Sequence, residues 1–121
     1  MATVLTNAGK AITSNRVKGS GTEPAYVGWG TGAGTAAVAD TTLFTENGSR
    51  SLGTSTQQTT SVTNDSYQVV GTLVAGSVLT ITNAGLFDAS TSGNLYVKGD
   101  FTGITISTGD SIQFTIKTQY S

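Results

Sequence analysis

The sequence predicts an all-β fold, a single antiparallel β-sandwich that is jelly-roll-like or related, with an N-terminal arm or short helix. The 121 residues fit one domain with one core. The chain has 23 threonines, 13 serines and 16 glycines, and only 11% of its residues are charged. Residues that favour helices are therefore scarce, whereas β-favouring Thr and Val are plentiful. Short apolar segments separated by turn residues complete the pattern of a sandwich.

Residues 1–22 are predicted to form the arm or short helix that precedes the sandwich. Their apolar residues recur at spacings of three and four, as on one face of a helix: Val4, Leu5, Ala8, Ala11, Ile12 and Val17. Gly9 lowers the helical propensity in the middle of this segment, so an extended arm fits the pattern as well. The sandwich is expected to span residues 23–121.

The first strand of the sandwich is predicted to follow Pro24. Within it, Tyr26 faces one side of the sheet while Val27 and Trp29 face the other. Residues 30–46 have neither strand nor helix periodicity and are predicted to form a long ordered loop. Further strands are expected within 50–63, 67–74, 78–82, 84–87, 95–101 and 111–118, with turns at 64–65, 75–76, 92–94 and 109–110.

The last of these segments has the clearest alternation. Ile112, Phe114 and Ile116 are separated by the polar residues Gln113 and Thr115. This pattern predicts a half-buried antiparallel strand whose polar face meets solvent or a neighbouring subunit.

The composition excludes several kinds of chemistry. The chain has no histidine and no cysteine, and therefore no imidazole base, thiolate nucleophile or usual zinc site. Its net charge is -1 and its basic residues are not clustered, which argues against a nucleic-acid partner. No apolar run approaches the length of a membrane span, and the N-terminus lacks the pattern of a secretory signal. We expect no cofactor, no metal and no membrane.

Two groups of residues suggest chemistry but have simpler interpretations. The glycine-rich segment 28–34 follows a strand but lacks the features of both nucleotide-binding fingerprints, so it is predicted to be a glycine loop. Most carboxylates lie at predicted turns, where they bind backbone N–H groups. The alternatives are a glycosidase pair, or calcium held by Asp65, Asp100 and Asp110. Glu46 and Arg50 are predicted to form an ion pair across a turn.

The aromatic residues are expected to supply most of the bulk of the core. One alternative is carbohydrate binding, with Trp29 and Tyr26 stacking on a sugar ring.

Two stretches resemble a group of small tailed-bacteriophage virion proteins. In the first, Tyr26-Val-Gly-Trp-Gly-Thr-Gly precedes Asp40-Thr-Thr-Leu-Phe-Thr-Glu46, similar to a strand ending in Gly-Thr-Gly, an Ala-rich loop and an Asp-Thr-x-Leu-x-x-Glu segment. The second comprises Asn83-Ala-Gly-Leu-Phe-Asp and Leu95-Tyr-Val-Lys-Gly-Asp-Phe. Related proteins often have Glu where this chain has Asn83, so a salt bridge is not carried over. The resemblance covers residues 3–118 and implies a virion structural protein without catalytic residues.

The leading hypothesis is a capsid decoration or cement protein that forms a homotrimer and binds the major capsid protein on the phage head. Low charge and Thr-rich strand faces suit packing against identical copies. The N-terminal segment and the loop 30–44 are the principal expected contacts. The expected interface residues are Val4, Leu5, Ile12, Val17, Trp29, Leu43 and Phe44. The protein is expected in the virion, assembled in the bacterial cytoplasm. The alternative is a tail-tip, baseplate or fibre component that recognises the host, and an enzyme is the third class.

Overall fold

The computed structural model describes residues 2–121 and contains two antiparallel β-sheets and one helix. This confirms the prediction of an all-β sandwich with an N-terminal helix. The elements in chain order are β1 (Thr3–Leu5), α1 (Asn7–Lys18), β2 (Tyr26–Gly30), β3 (Ser51–Leu52), β4 (Thr54–Gln58), β5 (Ser66–Val74), β6 (Leu79–Phe87), β7 (Leu95–Ile106) and β8 (Ser111–Gln119).

The two sheets differ in size. The larger sheet has the strand order β1-β7-β6-β2-β3, and the smaller has the order β4-β5-β8. The chain passes from one sheet to the other at Gly53, between β3 and β4. A methyl group on Gly71 of β5 would lie only 2.6 Å from Cγ2 of Val27 on β2. The sheets therefore approach closely at β2 and β5 because glycine occupies this position.

The main core lies between the sheets and follows the alternation of the strands. Val27 and Trp29 of β2 point into it, as predicted. Trp29 is 2% exposed and meets Phe114 of β8 edge to face, with the ring centroids 6.3 Å apart. The other buried members are Ile12, Ala25, Val69, Leu73, Ala75, Ile81, Leu86, Tyr96 and Val97.

A smaller apolar cluster lies on the outer face of the larger sheet. It contains Leu43, Phe87 and Leu95, with Tyr26 packed against it. Because Leu43 belongs to the segment between β2 and β3, this segment covers the sheet and forms a third layer. The prediction of a long ordered loop after β2 is consistent with this arrangement.

The N-terminal segment is a helix, and the alternative of an extended arm is wrong for residues 7–18. Thr6 caps the helix, because its Oγ1 accepts a hydrogen bond of 2.9 Å from the N–H of Gly9. The same hydroxyl donates to the carbonyl oxygen of Leu95 at 2.5 Å. A side chain on Gly9 would collide with the carbonyl oxygen of Tyr96. The glycine that lowers helical propensity is therefore required for the helix to pack on β7.

Two strand boundaries differ from the predicted ones. The segments predicted at 78–82 and 84–87 form one strand, β6, whose register with β7 shifts between Ile81 and Asn83. This bulge interrupts the alternation on which the prediction depended. β7 also continues past the predicted end at residue 101, to Ile106. Within residues 2–121, no helical segment has the length and apolar character needed to cross a membrane.

The buried Thr6 hydroxyl is predicted to be a large local contributor to stability. Thr6→Val keeps the shape of the side chain but leaves the N–H of Gly9 without its partner, so we expect the free energy of unfolding to fall by about 2 kcal/mol. Thr6→Ser keeps the hydroxyl and should lose only about 1 kcal/mol, from the missing methyl group. Urea unfolding followed by circular dichroism measures both, and equal losses would contradict the capping role.

Candidate interaction surfaces

The segment between β2 and β3, residues 31–50 and here called the anchored loop, is held to the larger sheet by polar side chains of β6 and β7. Asn83 is fully buried on the outer face of β6. Its Oδ1 accepts from the N–H of Phe44 at 3.0 Å, and its Nδ2 donates to the carbonyl oxygen of Phe44 at 3.1 Å. The side-chain amide thus satisfies both backbone groups of Phe44, as a neighbouring strand would.

Lys98 provides the second anchor, one strand further along the sheet. Its side chain is 1% exposed, and Nζ donates to Oδ2 of Asp40 at 3.0 Å and to the carbonyl oxygen of Thr42 at 2.8 Å. Nζ also lies 3.2 Å from the ring centroid of Phe44. A buried ammonium is destabilising unless it is paired and hydrogen-bonded, and here the anchored loop supplies all of these partners.

Asp100 provides the third anchor. Its Oδ2 accepts from the N–H of Ala36 at 2.7 Å, and its Oδ1 accepts from the N–H of Ala2 at 3.2 Å. The hydrogen bond from Ala36 is the largest influence that lowers the pKa of Asp100. The pKa of Asp40 is lowered as well, chiefly by the N–H of Ala37 and then by the hydrogen bond from Lys98. Both carboxylates are therefore stabilised in their charged form.

Arg50 holds the end of the anchored loop. Its Nε lies 2.7 Å from Oε2 of Glu46, which confirms the predicted ion pair. Its Nη1 also donates to the carbonyl oxygens of Ala89 and Ser92, at 2.9 and 2.6 Å. The guanidinium lies over the ring of Phe87 at 3.4 Å from the centroid. Arg50 thus joins the loop to the β6–β7 turn, which goes beyond a local ion pair.

One side of the sandwich has two strand edges without a neighbour among the described residues; we call it the open edge. It consists of β8, which pairs only with β5, and residues 101–106 of β7, which lie beyond the pairing of β7 with β1 and have partners only in β6. Half-buried apolar side chains fill the gap between these strands: Phe101, Ile106, Ile112, Phe114 and Ile116. Ile104 lies opposite the buried Ile81 and is 46% exposed.

The open edge has few of the features that usually protect a strand edge. Natural proteins place lysines, prolines or bulges there to prevent pairing with another chain. β8 has regular pairing over its nine residues, and Lys117 is its single charged residue. Unpaired backbone groups next to partly exposed apolar side chains make this edge suited to contact with another β-rich surface.

A concave groove lies at the end of the sandwich, between α1 and the starts of β5 and β7. Its volume is about 580 Å³, and its floor includes Ile12, Tyr67 and Tyr96. Tyr67 and Tyr96 meet edge to face, with centroids 6.0 Å apart. Burial is the main influence that raises the pKa of both phenols, so they are neutral hydrogen-bonding groups at physiological pH. Tyr120, after β8, closes one side, and we call this site the tyrosine groove.

The seven residues predicted as contacts are distributed over the molecule. Ile12, Trp29 and Leu43 are buried within the subunit, and contact of the seven residues with another protein stays a prediction. Val4 and Leu5 lie in β1 and are half-buried, as is Phe44 in the anchored loop. Val17 is 84% exposed, at the rim of the tyrosine groove.

The alternative that Trp29 and Tyr26 stack together on a sugar is wrong. The two residues lie on opposite faces of β2, as their spacing predicts, and Trp29 packs in the main core. The aromatic side chains that share a concave surface are Tyr67, Tyr96 and Tyr120.

The carboxylates in turns have structural partners. Asp65 accepts hydrogen bonds from the N–H groups of Thr60, Ser61 and Val62, and these bonds lower its pKa. Asp110 likewise binds the N–H of Ser107. Within residues 2–121, no three Asp or Glu side chains converge as metal ligands.

The sequence interpretation missed the anchoring residues and the tyrosine groove. Asn83, Lys98 and Asp100 lie on the outer face of β6 and β7, away from the main core. The sequence signal for these anchoring residues is the presence of a polar side chain in an otherwise apolar strand. The groove depends on residues distant in sequence, and no local pattern indicates it.

A family model described as Podophage GP4 fiber I protein gp80 matches residues 2–119. No curated protein and no solved structure matches the chain.

Acid is predicted to weaken the attachment of the anchored loop. The pKa of Asp100 lies below its ordinary value of 3.8. The stabilisation that the Asp100 carboxylate provides is therefore complete above pH 3.8. It is lost as the pH falls from that value towards the lower pKa of the folded state. We expect the stability difference between wild type and Asp100→Asn to be largest near about pH 6 and to shrink by about pH 3.

The test combines thermal unfolding at several pH values with the NMR signal of the Ala36 amide. Asp110→Asn is the control, because its carboxylate lies in the β7–β8 turn and its loss should leave the Ala36 signal unchanged. The prediction would be contradicted if the difference in stability between wild type and Asp100→Asn stayed constant with pH.

Proposed function

The chain belongs to the family of podophage GP4 fiber I protein gp80, and on that premise we propose that it is a structural building block of a virion fibre. The family is one of phage structural proteins and is not an enzyme family. The family description favours the fibre component over the cement protein, which is the leading hypothesis from the sequence.

The open edge is the observation that supports this proposal. A fibre subunit must attach firmly to other virion proteins, and a strand edge with adjacent apolar side chains offers hydrogen bonds and burial of apolar area in one surface. Ile104 and the half-buried Phe101, Ile106 and Ile112 would be removed from water by such an attachment.

We further propose that identical copies meet through the open edge, in a homotrimer around a threefold axis. In such a ring, the apolar side chains of three open edges would converge on the axis and form a shared core. A domain of this size buries only about two thirds of its unfolded surface, so assembly is a natural source of stability. We expect the protein in the virion, after assembly in the bacterial cytoplasm.

The location on the particle distinguishes the fibre from the cement protein. Intact particles of the parent virus are labelled with gold-tagged antibody against this chain and viewed by electron microscopy. Gold on fibres is the expected result. Gold spread evenly over the head would overturn the proposal in favour of a cement protein bound to the major capsid protein. Denatured particles, in which buried epitopes become accessible to the antibody, serve as the control if intact particles show no gold.

A charge on the open edge is predicted to weaken self-association. Ile104→Lys adds an ammonium group that would have to be desolvated in the shared core, so the association constant should fall by at least about tenfold. Leu52→Lys is the matched control, because Leu52 is exposed on β3 at the opposite edge of the larger sheet. Sedimentation equilibrium measures both variants. Equal effects would contradict assembly through the open edge.

A further inference from the structure

The tyrosine groove combines an apolar floor with polar groups that are satisfied internally. The hydroxyl of Tyr67 donates to the carbonyl oxygen of Pro24 at 3.0 Å, and the hydroxyls of Tyr96 and Tyr120 contact each other. Glu23 accepts from the hydroxyl of Ser55 at 2.8 Å. The floor therefore offers a ligand mainly ring surface and aliphatic surface. Tyr120 is 42% exposed, so part of its side chain is accessible.

The rim of the groove carries planar polar side chains with free hydrogen-bonding capacity. Among the described residues, the side-chain amides of Gln57 and Asn64 make no hydrogen bond, and both line the groove. Arg16 uses only Nη1, which donates to the carbonyl oxygen of Gly21 at 2.9 Å. These three side chains keep several donors and two amide acceptors for a ligand.

We propose that the tyrosine groove is a saccharide-binding site. A pyranose ring has apolar C–H faces and equatorial hydroxyls, so it needs an aromatic surface beside planar donors and acceptors. Tyr120 supplies that surface, and Asn64, Gln57 and Arg16 supply the hydrogen bonds to vicinal hydroxyls. The volume of about 580 Å³ lies in the usual range of ligand sites and is large enough for more than one sugar ring.

The charges select the class of saccharide. Arg16 is the basic residue of the groove and Glu23 is the acidic one, so the site has no excess of positive charge. A phosphorylated glycan or a nucleic acid would need several cations to compensate its phosphates. The ligand is therefore a neutral saccharide or one with a single carboxylate. This inference deepens the fibre role and takes its biological meaning from it, since a fibre that binds a saccharide would contact a glycan on the host surface.

The test is an NMR titration of the folded full-length chain. The probes are the methyl glycosides of glucose, galactose, N-acetylglucosamine and rhamnose, together with polysaccharide purified from the host surface. We expect dose-dependent shifts in the side-chain amide signals of Asn64 and Gln57 and in the ring signals of Tyr120. The amide signals of the open edge should stay in place.

Three variants separate the roles of the groove residues. Tyr120→Ala removes the ring surface and should weaken binding by at least about tenfold, whereas Tyr120→Phe keeps the ring and should bind nearly as wild type. Asn64→Gly removes the amide, and its backbone tolerates the change because Asn64 has a φ of 61°. It should also weaken binding. Gln113→Ala, on the exposed face of β8, is the control and should bind as wild type.

The inference is overturned if no probe shifts the groove signals of the folded protein, or if Tyr120→Ala binds as wild type. It is also overturned if the groove signals move with protein concentration alone, which would make the groove a contact between copies. These results are independent of the gold labelling. If the chain lies on fibres but binds no saccharide, the proposed saccharide site is refuted. If it binds a saccharide but lies on the head, the proposed role in a fibre is refuted.

Discussion

The hydrogen bonds and ion pair from the outer face of β6 and β7 determine how this small chain forms three layers. The anchored loop contributes Leu43 to an apolar cluster of only three buried residues, which is too little burial to order a segment of this length. Asn83, Lys98 and Asp100 supply the remainder, because each binds backbone groups of the loop directly. Lys98 in turn depends on the loop for its own partners. Its buried ammonium is tolerated only when Asp40 and Thr42 are in place, so the loop and the sheet depend on one another.

The scarcity of long side chains shapes the rest of the molecule. Gly71 allows β5 to approach β2 closely, and Gly9 allows α1 to lie against β7. On the other side of the sandwich, the gap between β7 and β8 is filled by Phe101 and Phe114, whose centroids are 6.4 Å apart. That side is closed by large rings, and residues 2–121 place no further strand there, which is why it is also the side where apolar surface stays exposed. The open edge is thus a consequence of how the sandwich is packed.

The features predicted correctly from the sequence are those that depend on neighbouring residues. Ile112, Phe114 and Ile116 alternate with polar residues, and the half-buried strand β8 follows from that alternation. The loop after β2 likewise follows from a sequence that has neither strand nor helix periodicity. The features that were missed depend on distant residues. The continuity of β6 across its bulge is set by pairing with β7, and the role of Asn83 is set by the backbone of Phe44, 39 residues away. Gly9 shows most clearly the limit of prediction from local sequence. Its low helical propensity argues against a helix, yet only a residue without a side chain lets this helix pack on β7.

The positions of the open edge and the tyrosine groove allow both to be used at once. β7 connects them, with Tyr96 in the groove near its start and Ile104 at the open edge near its end. Eight residues of strand separate these two positions by about 26 Å. Copies that associate through the part of the open edge around Ile104 would therefore leave the groove accessible. A trimer would then present three grooves in a fixed arrangement, and linked sites of this kind bind a repeating polymer much more tightly than a single site does. Weak binding of one sugar is consequently compatible with firm attachment to a glycan surface.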